Sequence, residues 1–518
     1  MRSSQGKLHI LLVNPKTPAS YWGMQDSTWF VGARVAHIPL GAVTVAGMLP
    51  RNWELKLVDL EFDRLTDRLL RWADIVFVTG MGAQSASQTE VLHRCRELGV
   101  PTVVGGSHVS SAPNAPGLDL ATSLAIGEAE GYIGELVADI EAGTLKPVYR
   151  SEERPDITTC PTPRYDLLKT KRYCGLSLQV SRGCPHGCEF CNVRQLFGRR
   201  MRYKTPGQVI AELDAIKVAG FHGNVFVVDD NFIGSPRKTT RMLEAIRDWW
   251  NQNGRPFLFY TQADIRLAER DDLISLMTDA GFYAVFIGFE SPSDEALRCS
   301  AKRQNVGVDA EAAVRHLRRS GLQVFGGFIV GFDTDGPEIA ELTYEMIENC
   351  GIDFAMAGML IALPGTPLEQ RLRDAGRLAG ECTGDQFEIS NIIPRGMSRL
   401  ELVTGYRRLM ERLYGPRQYF DRAFTALSEW QQKVRRTPSW QEWLAVGRSV
   451  LRQGMFSTYA HHYWSFLLKT LRHFPSKFPR AFSMAICGHH LLRYTKRTVL
   501  PRLREAERQL AEEAAEVA

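Results

Sequence analysis

Short, mainly apolar runs, most of them stopped by glycine or proline, mark the first third of the chain. They are His9 to Val13 before Asn14-Pro15, Leu55 to Leu60, Ile75 to Thr79 before Gly80-Met81-Gly82, Thr102 to Val104 before Gly105-Gly106, and Leu124 to Ile126 before Gly127-Glu128. Runs of this length, rich in β-branched residues, predict strands buried on both faces. Helical periodicity between several of them, as in Gln88 to Leu98, makes the expected arrangement a doubly wound α/β sheet. Ligands of such sheets bind beyond the carboxyl ends of the strands, where these glycines fall. The dinucleotide fingerprint Gly-x-Gly-x-x-Gly does not follow the first strand, which disfavours NAD.

Residues 149 to 175 are rich in Pro, Arg, Asp and Thr and predict a proline-stiffened linker. Strand patterns then resume at Leu176 to Ser181, Asn224 to Val228, Pro256 to Thr261, Ala284 to Gly288, Gln323 to Val330 and Ala355 to Ala362. Helical segments alternate with them, one capped by Thr205-Pro206 and others at 237 to 250, 271 to 281, 307 to 320 and 337 to 350. Six such units are too few for a closed eightfold barrel and predict a partial, laterally open one. From Met397-Ser398 the pattern becomes helical (Leu400, Leu402, Val403, Tyr406, Leu409, Met410, Leu413) and ends in an Ala/Glu-rich tail, Glu505 to Ala518. The expected divisions are 1–148, a linker 149–175, 176–395, and a mostly helical C-terminal region 396–518.

Composition narrows the setting. With 518 residues, 44% hydrophobic and 23% charged, the chain has the make-up of an ordinary globular protein. Its ten cysteines lack the spacing of a disulfide framework, which predicts a reducing compartment. Met1 to Lys7 is short and polar, without a signal-peptide pattern, and no apolar run is long enough to span a bilayer. A cytoplasmic protein is expected, with membrane association left open. A net charge of +5 does not imply nucleic acid. Between Lys469 and Arg504 every charged side chain is basic, interleaved with Phe474, Phe478, Phe482 and Tyr494 and preceded by the aromatic run His461 to Phe466. That mixture suits a peripheral membrane surface or a greasy anionic substrate, and equally a solvated basic face over an ordinary helical core. The pairs His461-His462 and His489-His490 are poor metal sites, because neighbours in a helix point to different sides.

The chemistry centres on Cys184-Pro185-His186-Gly187-Cys188-Glu189-Phe190-Cys191. Three thiolates in one loop suit a soft centre, and an iron-sulfur cluster held by only three leaves one iron open to substrate. A Cys3His zinc site using His186 is the alternative, though no second Cys or His knuckle accompanies it. The spacing Cys-x3-Cys-x2-Cys, with Phe190 before the last cysteine, resembles the signature of the radical S-adenosylmethionine (SAM) superfamily. The resemblance implies a [4Fe-4S] cluster on Cys184, Cys188 and Cys191 with SAM chelating the open iron. SAM contacts are then expected from Phe190 and from the strand-end residues Asp229, Asp230, Asn231, Gln262 and Glu290.

Ahead of that motif, Leu12-Val13-Asn14-Pro15, Pro39-Leu40-Gly41, Val103-Val104-Gly105-Gly106 and Gly127-Glu128-Ala129-Glu130 resemble the Rossmann-like cobalamin-binding domain of B12-dependent radical SAM proteins. The implied cobalamin contacts are Gly80, Met81, Gly105, Gly106, Ser107, Gly127 and Glu128. The Asp-x-His-x-x-Gly motif that supplies cobalt with a lower ligand elsewhere is absent, and His108 is expected to serve a hydrogen bond. The function implied is C-methylation of an unactivated carbon, through a 5′-deoxyadenosyl radical and methylcobalamin. Oxidative cyclisation, carbon-carbon coupling or another non-methylating radical reaction is the alternative, and a non-catalytic Fe-S sensor a second. The expected partners are a small molecule (a lipid, isoprenoid, tetrapyrrole or natural-product intermediate) and an electron donor such as flavodoxin or ferredoxin.

Overall fold

The computed structural model describes residues 7–151, 153–384, 388–434 and 440–517. The polar stretch Met1 to Gly6 and the final residue of the expected tail, Ala518, lie outside them. Strands β1 (His9–Asn14), β2 (Glu54–Asp59), β3 (Ile75–Val78), β4 (Thr102–Val104), β5 (Ser123–Ile126) and β6 (Val148–Arg150) form one parallel sheet in the order β2-β1-β3-β4-β5-β6. Its two faces are covered by separate apolar clusters, one around Leu12, Phe77 and Ile140 and the other around Val13, Val76 and Leu92. Burial on both faces is why β1, β3, β4 and β5 read as apolar runs, whereas β2, which carries Lys56, is fully buried only at Val58 and Asp59. The sixth strand falls where the linker was expected to begin. It is three residues long with only Tyr149 buried, so it left no apolar run to read.

Strands β7 (Gly175–Leu178), β8 (Ser181–Arg182), β9 (Arg202–Tyr203), β10 (Gly223–Val227), β11 (Phe257–Ala263), β12 (Phe282–Glu290), β13 (Gln323–Val330) and β14 (Ala355–Met359) follow. Six of them make a second all-parallel sheet, β14-β13-β12-β11-β10-β7, curled as the expected partial barrel. Two ends differ from the apolar pattern. The first barrel strand stops at Leu178, and β8 pairs antiparallel with β9 as a ribbon at the neck of the cysteine loop. Strand β12 runs on to Glu290 through a register shift after Gly288.

The helices Arg399–Leu413 and Pro416–Glu429 pack on the barrel through two buried arginines and a tyrosine. Arg318 donates to the carbonyls of Cys350 (2.7 Å) and Gly351 (2.6 Å) and to Glu429, Arg422 donates to the Ile352 carbonyl (3.1 Å), and the Tyr406 hydroxyl donates to the Ala357 carbonyl (2.9 Å). The helix Phe478–Tyr494 is buried along most of its length. Its His490 faces Asp26 (3.4 Å), and its His489 Nδ1 meets the Tyr459 hydroxyl at 2.5 Å, so both rings serve the interior.

Burial pushes the His489 imidazole down from its ordinary value to about 4. The native protein therefore takes up this proton less readily than the unfolded chain does. Stability from this group is complete above about pH 6.5 and is lost as the pH falls toward 4, up to about 3 kcal/mol. His489→Gln keeps an acceptor for Tyr459, so urea midpoints across this window should fall less steeply in the variant than in the parent.

Candidate functional site

The cysteine loop begins at Gly183 (φ +98°), where an added Cβ would lie 2.9 Å from the Arg200 carbonyl, so only glycine fits. Cys184, Cys188 and Cys191 are partly buried and close enough that each thiol is raised by the charge of a neighbouring one or of a nearby carboxylate. Burial is the larger cause, and it pushes Cys184 to about 11 and Cys191 to about 12. Opposing it, the Lys302 ammonium favours the Cys188 thiolate and the Gln304 amide donates to its sulfur at 3.7 Å. Among the described residues no three His, Cys, Asp or Glu side chains stand close enough together for a single metal ion. His186 is engaged elsewhere, its Nε2 meeting Asp264 Oδ2 at 2.9 Å.

Around the loop stand the barrel strand ends. The two oxygens of Asp229 accept from the Val180 amide (2.8 Å) and the Ser181 hydroxyl, stapling the end of β7 to that of β10. The Asn231 amide donates to Asp264 at 2.7 Å. Asp230 differs from both neighbours: its Oδ2 is buried without a hydrogen-bond partner. Burial, and then the charge of Asp229, push its carboxyl up to about 7. A buried acceptor left open in this way is costly unless something donates to it. Gln262, half-buried, lies at the end of β11 and offers its carbonyl to the Phe232 amide at 2.9 Å. Glu290 sits at φ +67°, a strained conformation for a non-glycine residue, with its Oε1 2.6 Å from Lys302 Nζ. Gly288 makes room for that pair, since a Cβ there would be 2.3 Å from the same Glu290 oxygen. Phe190 packs edge-on against Phe332 at 6.0 Å, fixing the end of the loop.

Sequence reasoning missed Lys302, Asp264 and Asn305. Asn305 donates to the carbonyls of Gly288 (2.8 Å) and Phe289 (2.9 Å) and leaves its own oxygen buried and unpartnered. Asp264 follows strand β11, and Lys302 and Asn305 stand at the start and end of a short turn after the helix Asp294–Cys299, where no pattern singles them out.

A cavity of about 620 Å³ opens between the two sheets. All seven residues expected at the first sheet's carboxyl edge, Gly80, Met81, Gly105, Gly106, Ser107, Gly127 and Glu128, line it. It begins at the gap between β1 and β3, where the strand order reverses, and reaches the barrel at Gln179, Arg182 and Val228. Gly106 (φ +102°) has no space for a Cβ, which would lie 2.6 Å from the Gly80 carbonyl. The Glu128 carboxylate is held by Arg182 (2.7 Å) and Arg202 (2.7 Å), tying sheet to barrel at the cavity wall. His108 is hydrogen-bonded through Nδ1 to Gln88 (2.7 Å) and is not part of the lining. The loop Ser20 to Ile38, which no motif indicated, closes one side with Trp22 against Phe286 (5.0 Å) and His37 near Phe226 (5.9 Å). Phe226 in turn stacks on Tyr260 at 4.6 Å, continuing the row of rings along the barrel strands.

Comparison with known proteins agrees with this geometry. Residues 178–347 match the model of the radical SAM superfamily, and residues 366–501 that of a domain of unknown function, DUF4070. The chain is 33% identical to an uncharacterised methyltransferase of Synechocystis sp., over 94% of this chain and 92% of that one. It is 30% identical to the hopanoid C-2 methylase of Rhodopseudomonas palustris, over 95% of each. Its fold resembles that of OxsB, a cobalamin-dependent SAM radical enzyme solved with aqua-cobalamin and SAM bound (TM-score 0.61, 15% identity, 98% of this chain and 84% of that one).

Proposed function

Because this chain belongs to the radical SAM superfamily and to the methyltransferase group within it, we propose that it is a cobalamin-dependent enzyme that methylates an unactivated carbon of a small hydrophobic molecule. Cys184, Cys188 and Cys191 would hold a [4Fe-4S] cluster, and the glycine-edged cavity would hold cobalamin. The observation that carries the reading is their adjacency: one cavity runs from the carboxyl ends of the first sheet to Arg182, two residues before the first of the three cysteines. When bound, the cluster supplies the electron that splits SAM into methionine and a hydrogen-abstracting radical, and cobalamin supplies the methyl group.

The chain's own part is to bind and orient. Asp230, with an open buried oxygen beside Cys184 and Cys191, would accept the SAM amino group. Asp229 and Asn231 would keep that loop in place, since their side chains are already spent on Ser181 and Asp264. Glu290, held by Lys302, would face the nucleoside end. The rings of Trp22, Phe226, Tyr260 and Phe286 beside the cavity would suit a flat apolar substrate. The relative that methylates a hopanoid supports a substrate of that polycyclic kind. A flavodoxin or ferredoxin would supply electrons.

The test is the pair of products. Anaerobic enzyme, reconstituted and reduced, should form 5′-deoxyadenosine and S-adenosylhomocysteine in comparable amounts with a competent acceptor. Deoxyadenosine without S-adenosylhomocysteine would refute methyl transfer.

A further inference from the structure

The large apolar side chains Trp440, Trp443 and Leu444 of the helix Trp440–Ser449 point away from the protein. Ala445 and Ser449 face the body, whereas Trp440 (69% exposed), Trp443 (61%), Leu444 and then Leu451 form a stripe at helical spacing on the outside. The helix Ala460–His473 repeats the arrangement, with Tyr463, Phe466 and Leu467 inward and Trp464, Leu468 (60%) and Leu471 outward. Phe456 (70%) stands between the two helices. Nine of the fifteen exposed large hydrophobic side chains among the described residues fall within residues 440–471, so this is one patch and not scatter.

Its electrostatics select the occupant. Within the two helices and the segment joining them, residues 440 to 473, the chain carries Arg448, Arg452, Lys469 and Arg472 against a single acid, Glu442. Two copies of this face would bring like charges together, whereas an anionic lipid surface complements both the charge and the apolar stripes. No described helix is long and apolar enough to cross a membrane. The aromatic residues of the later helix Phe478–Tyr494 do not contribute, because Phe482 and Tyr494 are buried.

We propose that the helices Trp440–Ser449 and Ala460–His473 form a membrane-docking face that lies in the interface of an anionic bilayer. The face connects with the cavity through one segment. Arg448 donates to the carbonyls of Trp29 (3.0 Å) and Phe30 (2.9 Å), and the loop bearing them lines the cavity at Trp22 and again from Arg34 to Ile38. An apolar substrate dissolved in lipid would thus be met beside the cavity, a consequence that rests on the hydrophobic-substrate reading above. The docking itself does not.

The test is sedimentation of the full-length protein with vesicles of phosphatidylcholine, with and without phosphatidylglycerol. Binding to the anionic vesicles is expected, with tryptophan emission quenched by brominated lipid. The variant Trp443→Glu/Leu451→Glu/Phe456→Glu should partition at least about tenfold less with an unchanged circular dichroism spectrum, and Lys469→Gln/Arg472→Gln should lose the preference for phosphatidylglycerol. Equal sedimentation of parent and triple variant would overturn the proposal. So would a lipid-free dimer, seen by light scattering, that the triple variant abolishes while neither protein binds vesicles. Vesicle binding is read without turnover, so a negative result leaves the methyl-transfer reading standing.

Discussion

Replacing any one of Cys184, Cys188 and Cys191 by alanine should abolish bound iron and sulfide and lower SAM cleavage by at least about a thousandfold, a loss of about 4 kcal/mol or more of transition-state stabilisation. A cluster held by three protein thiolates has none to spare, and loss of one leaves a second iron without a protein ligand. The fold should survive, because the three side chains stand in a loop and belong to none of the buried apolar clusters. Cys299→Ala, at an exposed thiol, is the control and should leave iron content unchanged. Metal analysis of anaerobic protein and chromatography of 5′-deoxyadenosine read the result. A full complement of iron in any of the three single variants would remove that cysteine from the cluster.

Arg182→Met is expected to destabilise the protein by about 3–5 kcal/mol. Arg182 is 8% exposed and meets Glu128 at 2.7 Å and Glu130 at 2.9 Å, across the junction between first sheet and barrel. Its removal leaves Glu128 to Arg202 (2.7 Å) and the more distant Arg154 (3.9 Å), and Glu130 without either of its arginine bonds. The cost comes from the carboxylate left behind more than from the lost attraction, so Arg182→Met/Glu130→Met should recover much of it. Urea midpoints of the two variants check this. Equal midpoints would mean that the pair contributes nothing beyond its packing.

Strands β1, β3, β4 and β5 were legible because they are covered on both faces. A strand such as Ile75–Val78, buried at every position, has to be written as an unbroken apolar run. β6 was invisible because an edge strand with one buried side chain needs no such run. The outward stripe on Trp440–Ser449 was missed for a related reason: apolar spacing shows that a helix has an apolar side but not which way that side faces. The basic stretch around Phe482 and Tyr494 drew attention instead, and those rings proved to be core.

What the sequence determined by itself was the alternation of buried strands with helices and the trio of thiols, because both are local: a run, a spacing and a turn residue lie within a few positions. Tertiary structure alone decided that of Asp229, Asp230 and Asn231 it is Asp230 that keeps an open buried oxygen, and that Glu128 is taken by arginines 54 and 74 residues away. It also brought the loop Ser20 to Ile38 between the cavity and the C-terminal helices. Hydrogen bonds and burial at these sites are set by partners far along the chain, and a partner's identity leaves no mark on the residues it will meet.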